Sequence, residues 1–307
     1  MVYDVVIIGS GPAGLTASIY AKRAGLKCIV LTDKYAVNSQ ICNTYEVCNY
    51  PGFNKISGQE LYDTFLKHAK ELEVEIKDEK VISILDIYLD VKKVKTSDMT
   101  YETKTIILAT GGNPKKGGFD GEDKFYGNGI SYCATCDGDF FKGKEVAVVG
   151  GGDVAVEDAI FLSRIAKKVY LIVRKNELRA AKVLQDELNS KENVEVLYET
   201  VIKNIVGEDK FEGLLLKNKE DIILSELSIN GLFIGIGLAP NTMLLKDKVE
   251  MDGEYIKANE NCETSVKGIY VAGDVRKKQL RQVITACADG ANAITSIQKY
   301  LIKCNTN

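Results

Sequence analysis

The chain has 307 residues, 45% of them hydrophobic, with 40 Lys and Arg against 43 Asp and Glu and a formal net charge of −3. That length exceeds one average domain, so two domains are expected, with enough apolar residues to bury a sizeable core. The two signs of charge are mixed along the chain, which argues against nucleic acid or a membrane surface as partner, and no run approaches the roughly 18 apolar residues that span a bilayer.

The first residues, Met1-Val2-Tyr3-Asp4-Val5-Val6-Ile7-Ile8, read as a β-strand rather than a leader peptide, since they have no basic start and run straight into Gly9-Ser10-Gly11-Pro12-Ala13-Gly14. A helical pattern through about Lys22 and a second apolar run, Cys28 to Leu31, complete a strand–turn–helix–strand unit. Glycines at such a turn let the backbone approach a pyrophosphate at the positive end of the helix. Asp33 stands at the end of the second run, where a carboxylate can accept hydrogen bonds from ribose hydroxyls. Further on, Ser57-Gly58-Gln59-Glu60 has the form of a capping box, opening a helix whose apolar face includes Leu61, Phe65, Ala69 and Leu72. Residues 81–109 read as β-rich.

Two thiols follow in Ser131-Tyr132-Cys133-Ala134-Thr135-Cys136-Asp137-Gly138. Cysteines two residues apart can close a reversible disulfide, and on a helix they share a face. Zinc would need about four ligands. The only histidine, His68, falls in the helix predicted over 57–72, where it is expected to be partly exposed, and Cys42 and Cys48 lack a zinc-knuckle spacing. No metal is therefore expected. Asp137 can give or take a proton beside Cys136, whereas Asp139 reads as a solvated turn residue. Cys28, Cys42, Cys48, Cys262, Cys287 and Cys304 are scattered through a chain large enough to fold without staples. They read as core or surface thiols, which suits a reducing cytoplasm.

The strand–turn–helix–strand grammar then recurs. Val146 to Val149 leads into Gly150-Gly151-Gly152-Asp153-Val154-Ala155, a helix through about Arg164, and an apolar run from Val169 to Val173. Two such units mean two dinucleotide sites. Where the second unit should carry the counterpart of Asp33 it has Arg174 and Lys175, with Arg179 close behind. These cations would attract a 2′-phosphate, each charge-assisted hydrogen bond contributing roughly 1.5–3 kcal/mol, which predicts a preference for NADP(H). Residues 193–234 read as β-rich, and 281–303 as a helix with one buried face.

Taken together, Gly9-Ser10-Gly11-Pro12-Ala13-Gly14, Asn49-Tyr50-Pro51-Gly52-Phe53, Ala109-Thr110-Gly111, Cys133-Ala134-Thr135-Cys136-Asp137-Gly138, Gly150-Gly151-Gly152-Asp153, Pro240-Asn241-Thr242, Ala272-Gly273-Asp274-Val275 and Arg281-Gln282 resemble the bacterial-type, low-molecular-weight thioredoxin reductases. These are pyridine nucleotide–disulfide oxidoreductases, and the resemblance covers essentially the full chain. Placement of the dithiol in the second nucleotide unit separates this family from the larger glutathione reductase type. The resemblance implies an α/β fold of two Rossmann-like domains of three-layer ββα type, the second inserted into the first. An FAD domain would comprise 1–113 and 245–307, and an NADPH domain carrying the dithiol would span 114–244, with Gly111-Gly112 as a hinge. FAD would be held by Gly9, Gly11, Pro12, Ala13, Gly14, Asp33, Gln40, Asn49, Ala109, Gly111, Gly273, Asp274, Arg281 and Gln282. NADPH would meet Gly150, Gly152, Asp153, Ala155, Glu157, Arg174, Lys175 and Arg179.

The same resemblance gives Cys136 the place nearest the flavin, Cys133 the attack on the disulfide of thioredoxin, and Asp137 the proton. It implies a homodimer, and a domain rotation that presents dithiol and nicotinamide to the flavin in turn. Six positions depart from the family pattern: Asn38-Ser39 replace a glycine pair before Gln40, Val154 replaces a serine or threonine, Val173 and Lys175 make Val173-Arg174-Lys175 of His-Arg-Arg, and Asn128 replaces an arginine. The expected reaction is NADPH-dependent reduction of thioredoxin. Rival expectations are the same fold with NADH or ferredoxin as donor, a dithiol oxidase, or a non-catalytic flavin redox sensor.

Overall fold

In the computed structural model, residues 1–33, 39–44, 47, 49–218, 220 and 222–305 are described, so Asn38 and Cys48 lie outside the described residues. The chain divides into two compact units, Met1–Asn113 with Pro240–Asn307, and Pro114–Ala239. The return to the first unit comes at Pro240, ahead of the expected 245. Asn241 accounts for that position: its N–H donates to Gly111 O at 2.9 Å, its side-chain amide donates to Thr110 O at 3.0 Å, and its carbonyl accepts the Thr110 hydroxyl at 2.7 Å.

The first unit is built on Val2–Ile8, which pairs in parallel with Cys28–Thr32 on one side and Thr100–Leu108 on the other. Glu75–Asp78 extends the sheet beyond Cys28–Thr32, and Ile269–Val271 pairs in parallel with Ile106, Ile107 and Leu108. The other half of Thr100–Leu108 pairs antiparallel with Lys92–Thr96, which continues to Val81–Leu85. Parallel strands covered on both faces read as unbroken apolar runs. Accordingly Val5, Val6 and Ile7 are fully buried and Ile8 nearly so.

Side chains alternate across a strand. Val5 and Ile7 face a cluster with the helices Pro12–Arg23 and Val283–Asn305, whereas Val6 and Ile8 face Ile84, Val94 and Leu245. The result is helices, sheet and antiparallel strands in three layers. Small residues bring the two helices close together: a Cβ at Gly290 would lie 2.3 Å from Ala13 O. The helix Gly58–Glu71 opens on the expected capping box, Ser57 Oγ accepting the Glu60 N–H and Glu60 accepting the Ser57 N–H. Leu61 and Ala69 are fully buried on it, Phe65 and Leu72 half-buried, and His68 is exposed.

The second unit repeats the plan. Its parallel sheet runs Val194–Leu197, Lys168–Ile172, Glu145–Val149, Gly231–Ile234 and Ile130–Ser131. The helices Asp153–Ser163 and Lys182–Asn189 cover one face, and the antiparallel strands Val201–Val206, Gly213–Lys217 and Ile223–Ser228 contribute Ile202, Leu214 and Leu216 to the core on the other. In each unit the chain leaves the central strand to opposite sides. Such switch points, at the carboxyl ends of the strands, are where open α/β sheets bind ligands. Among the described residues no helix is long and apolar enough to cross a membrane.

Candidate active site

Cys133 and Cys136 are joined by a disulfide, with Cα atoms 5.3 Å apart. The intervening residues form a four-residue helix, Ala134–Asp137, capped by Cys133, whose Sγ accepts the Cys136 N–H at 3.1 Å. The Thr135 hydroxyl lies 3.4 Å from the same sulfur. Asp137 joins the group through a residue that sequence reasoning passed over. The Ser131 hydroxyl donates to Asp137 Oδ2 at 2.6 Å, while Ser131 Oγ accepts the Cys133 N–H at 2.9 Å. Ser131 itself is 3% exposed. Cys136 is the more exposed residue of the pair, and Asp139 is exposed nearby.

A second omission is Glu122, 4% exposed. Its carboxylate accepts the N–H groups of Gly117, Gly118 and Phe119 and the hydroxyl of Tyr132, the neighbour of Cys133. Burial pushes this carboxyl up, but the donors outweigh burial and hold it below its ordinary value of 4.5. A lowered acid stabilises the fold in full above the unfolded-state value and loses that contribution as pH falls through the folded-state value. Glu122→Gln, which sets an amide donor among these donors, is expected to cost about 2–3 kcal/mol in urea unfolding at pH 7, with the difference shrinking toward pH 4.

The first glycine turn has the shape a dinucleotide needs. Gly9 has φ +109°, and a Cβ there would lie 2.3 Å from Ala109 O; a Cβ at Gly14 would lie 1.9 Å from Gly9 O. By contrast a Cβ at Gly11 meets only Ser39 Oγ, at 3.5 Å. Gly11 caps the helix without a side-chain hydrogen bond, and Pro12 occupies its first turn, a helix start of the kind that presents backbone N–H groups to a phosphate. Ala13 is buried behind the turn, and a Cβ on Gly273 would come 3.1 Å from Ala13 Cβ, which brings the 273–282 segment to the same place.

Asp33 ends the strand Cys28–Thr32 and pairs with Lys80 at 3.5 Å. Gln40 Nε2 donates to Gly112 O at 2.9 Å, next to Gly111. Asn49 Nδ2 donates to Gln282 Oε1 at 3.1 Å, joining residues far apart in sequence. Arg281 stacks 3.8 Å over the Tyr255 ring. Asp274 Oδ1 and Arg281 Nε are buried with no hydrogen-bond partner among the described residues. An orphaned carboxylate oxygen beside an uncapped glycine turn fits a hydroxyl-bearing dinucleotide such as FAD.

The second turn is analogous. Gly150 has φ +146° and abuts Gly235 O, and Ala155 packs against both glycines. Gly152 begins the helix without a side-chain cap, and a Cβ there would meet nothing within 4 Å. Asp153 Oδ1 accepts the Ala181 N–H at 2.8 Å, and Arg179 N–H donates to Gly151 O at 2.7 Å, so this basic residue borders the turn. Val154, Glu157, Arg174, Lys175 and Arg179 are exposed, whereas Val173 is buried. These cations around an open turn fit a phosphorylated nicotinamide dinucleotide. No group of three or more His, Cys, Asp or Glu that could hold a metal occurs among the described residues.

A paired-thiol turn in one of two nucleotide-type α/β units defines a flavoprotein-type disulfide oxidoreductase. The chain belongs to the pyridine nucleotide-disulphide oxidoreductase family, whose model matches residues 3–290. It is 40% identical over 302 residues to the thioredoxin reductase of Bacillus subtilis (strain 168), covering 98% of this chain and 95% of that one. It is also 42% identical over 299 residues to a 34.2 kDa protein in the rubredoxin operon of Clostridium pasteurianum, covering 97% of each. A crystal structure of Lactococcus lactis thioredoxin reductase (FR conformation) superposes with a TM-score of 0.94 at 38% identity, covering 98% of this chain and 99% of the other.

Proposed function

We propose that this chain is an FAD-containing thioredoxin reductase that catalyses NADPH + H⁺ + oxidised thioredoxin → NADP⁺ + reduced thioredoxin. The observation that carries the reading is the Cys133–Cys136 disulfide, closed in a unit with its own nucleotide turn and a basic rim. Gly9, Gly11 and Gly14, with Asp33, Asp274 and Gln282, hold FAD; Gly150, Gly152, Arg174, Lys175 and Arg179 hold NADPH. When bound, FAD supplies relay of an electron pair from nicotinamide to disulfide.

The residues divide the work as follows. Cys136, the more exposed residue of the pair, accepts the electron pair, and the S–S bond breaks. Asp137, fixed by Ser131, gives a proton to the dithiol. Cys133 Sγ, which accepts the Cys136 N–H, carries the resulting negative charge and attacks the thioredoxin disulfide. Cys136 then loses its proton to the departing thioredoxin thiolate, displaces reduced thioredoxin from the mixed disulfide and restores the Cys133–Cys136 bond. The free thiols Cys28, Cys42, Cys262, Cys287 and Cys304 suit a reducing cytoplasm, and a homodimer is the expected assembly.

Anaerobic titration tests the donor and the cofactor together. The purified protein should carry a flavin absorption band that NADPH bleaches at lower concentration than NADH. A flavin left oxidised by NADPH but reduced by another donor would overturn the assignment of Arg174, Lys175 and Arg179.

A further inference from the structure

One buried carboxylate on the last helix organises the segment from Gly273 to Gln282. Asp289 Oδ2 accepts the Gly273 N–H at 3.0 Å and Lys278 Nζ at 2.9 Å; Oδ1 accepts Arg276 Nη2 at 2.9 Å. Arg276 Nε adds a bond to Oδ2 at 3.3 Å. Lys278 Nζ also lies 3.4 Å from Thr285 Oγ1, which accepts the Gln282 N–H at 3.1 Å. Asp289 thus holds the start of the segment directly and its end through Lys278 and Thr285.

The charges do not balance. The Arg276 and Lys278 side chains are each 7% exposed and share one carboxylate that is 4% exposed. Glu260, the other acid touching Arg276, is 94% exposed, and solvent screens it. Asp274, the next acid in the segment, is raised by burial, with the Lys278 and Arg281 cations acting against that rise. Counting Asp274 as ionised, three cations, Arg276, Lys278 and Arg281, face the two carboxylates Asp289 and Asp274, which leaves one positive charge beside the orphaned Asp274 Oδ1. In a low-dielectric site such a charge favours whichever state of a neighbouring group is more negative.

We propose that Lys278, oriented by Asp289, is a positioning residue of the flavin site whose charge raises the midpoint potential of the bound flavin. This rests on the assignment of FAD to the first unit. Reduction adds electrons to the flavin, so the uncompensated charge favours the reduced state; Arg276 alone can balance Asp289 once Lys278 is neutral. Lys278→Met keeps the length of the side chain and the Arg276–Asp289 pair.

The test is spectroelectrochemical titration of the flavin band in wild type, Lys278→Met and Lys278→Arg. Lys278→Met is expected to shift the reduced-to-oxidised ratio at least about tenfold toward oxidised, close to 30 mV lower for a two-electron couple, while Lys278→Arg stays near wild type. Should Lys278→Met not fold, Lys278→Gln, which can still donate to Asp289, is expected to shift the same way. A flavin-loaded neutral variant with the wild-type potential would overturn the proposal and leave the FAD assignment standing. A wild-type protein that binds no flavin would overturn both.

Discussion

Cys133→Ser is expected to retain its flavin and to be bleached by NADPH as fast as wild type, yet to reduce thioredoxin about a thousandfold more slowly or worse. A serine oxygen cannot take over thiol–disulfide exchange, which requires a sulfur nucleophile and passes through a mixed disulfide. The donors around Cys133 Sγ, the Cys136 N–H at 3.1 Å and the Thr135 hydroxyl at 3.4 Å, favour negative charge on this sulfur. Stopped-flow absorbance would follow the flavin, and a coupled insulin-reduction assay would follow thioredoxin. Thioredoxin turnover by Cys133→Ser at more than a few per cent of the wild-type rate would transfer the role to Cys136.

The second large effect separates two glycines in the same turn. In Gly14→Ala the new methyl would lie 1.9 Å from Gly9 O and 3.0 Å from Gly9 C, backbone atoms that cannot swing aside. The helix Pro12–Arg23 must then shift off the central strand, with an expected loss of about 3 kcal/mol and of flavin. In Gly11→Ala the methyl meets only Ser39 Oγ at 3.5 Å, and the backbone, at φ −70°, suits alanine. That variant is expected to melt within about 0.5 kcal/mol of wild type, since it leaves the core untouched. Its flavin affinity should nonetheless fall at least about tenfold, because the methyl stands where the backbone would approach a pyrophosphate. Thermal melts of both apoproteins, with flavin content from absorbance, make the comparison. Wild-type flavin affinity in Gly11→Ala would remove this turn from the binding site.

Features with a local cause were legible in the sequence. The glycine turns, the capping box at Ser57 and Glu60, the spacing of Cys133 and Cys136 and the basic run after Ile172 each depend on residues within a few positions of one another. Ser131, Glu122 and Asp289 escaped because their roles are set by partners that only folding brings near. Glu122 sits in a four-residue helix and reads as surface until three backbone N–H groups and Tyr132 converge on it. Asp289 lies in a helix of mostly small and apolar residues, and nothing near it in sequence announces Gly273, Arg276 or Lys278. The return to the first unit at Pro240, ahead of the expected 245, has the same cause: the Asn241 bonds to Thr110 and Gly111 are long-range.

Those bonds bear on how the chain can fold at all. Gly111 and Asn241 meet at 2.9 Å, so to the first unit everything between them is a single enormous loop. A disordered loop of that length would oppose closure by an entropy that grows with the logarithm of its residues. Yet Lys115 donates to Gly237 O at 2.8 Å, so the second unit, once folded, presents its own two ends side by side. Folding the inserted unit first converts a long flexible excursion into a short tether, and the interruption in the sequence then costs the first unit little more than an ordinary surface turn.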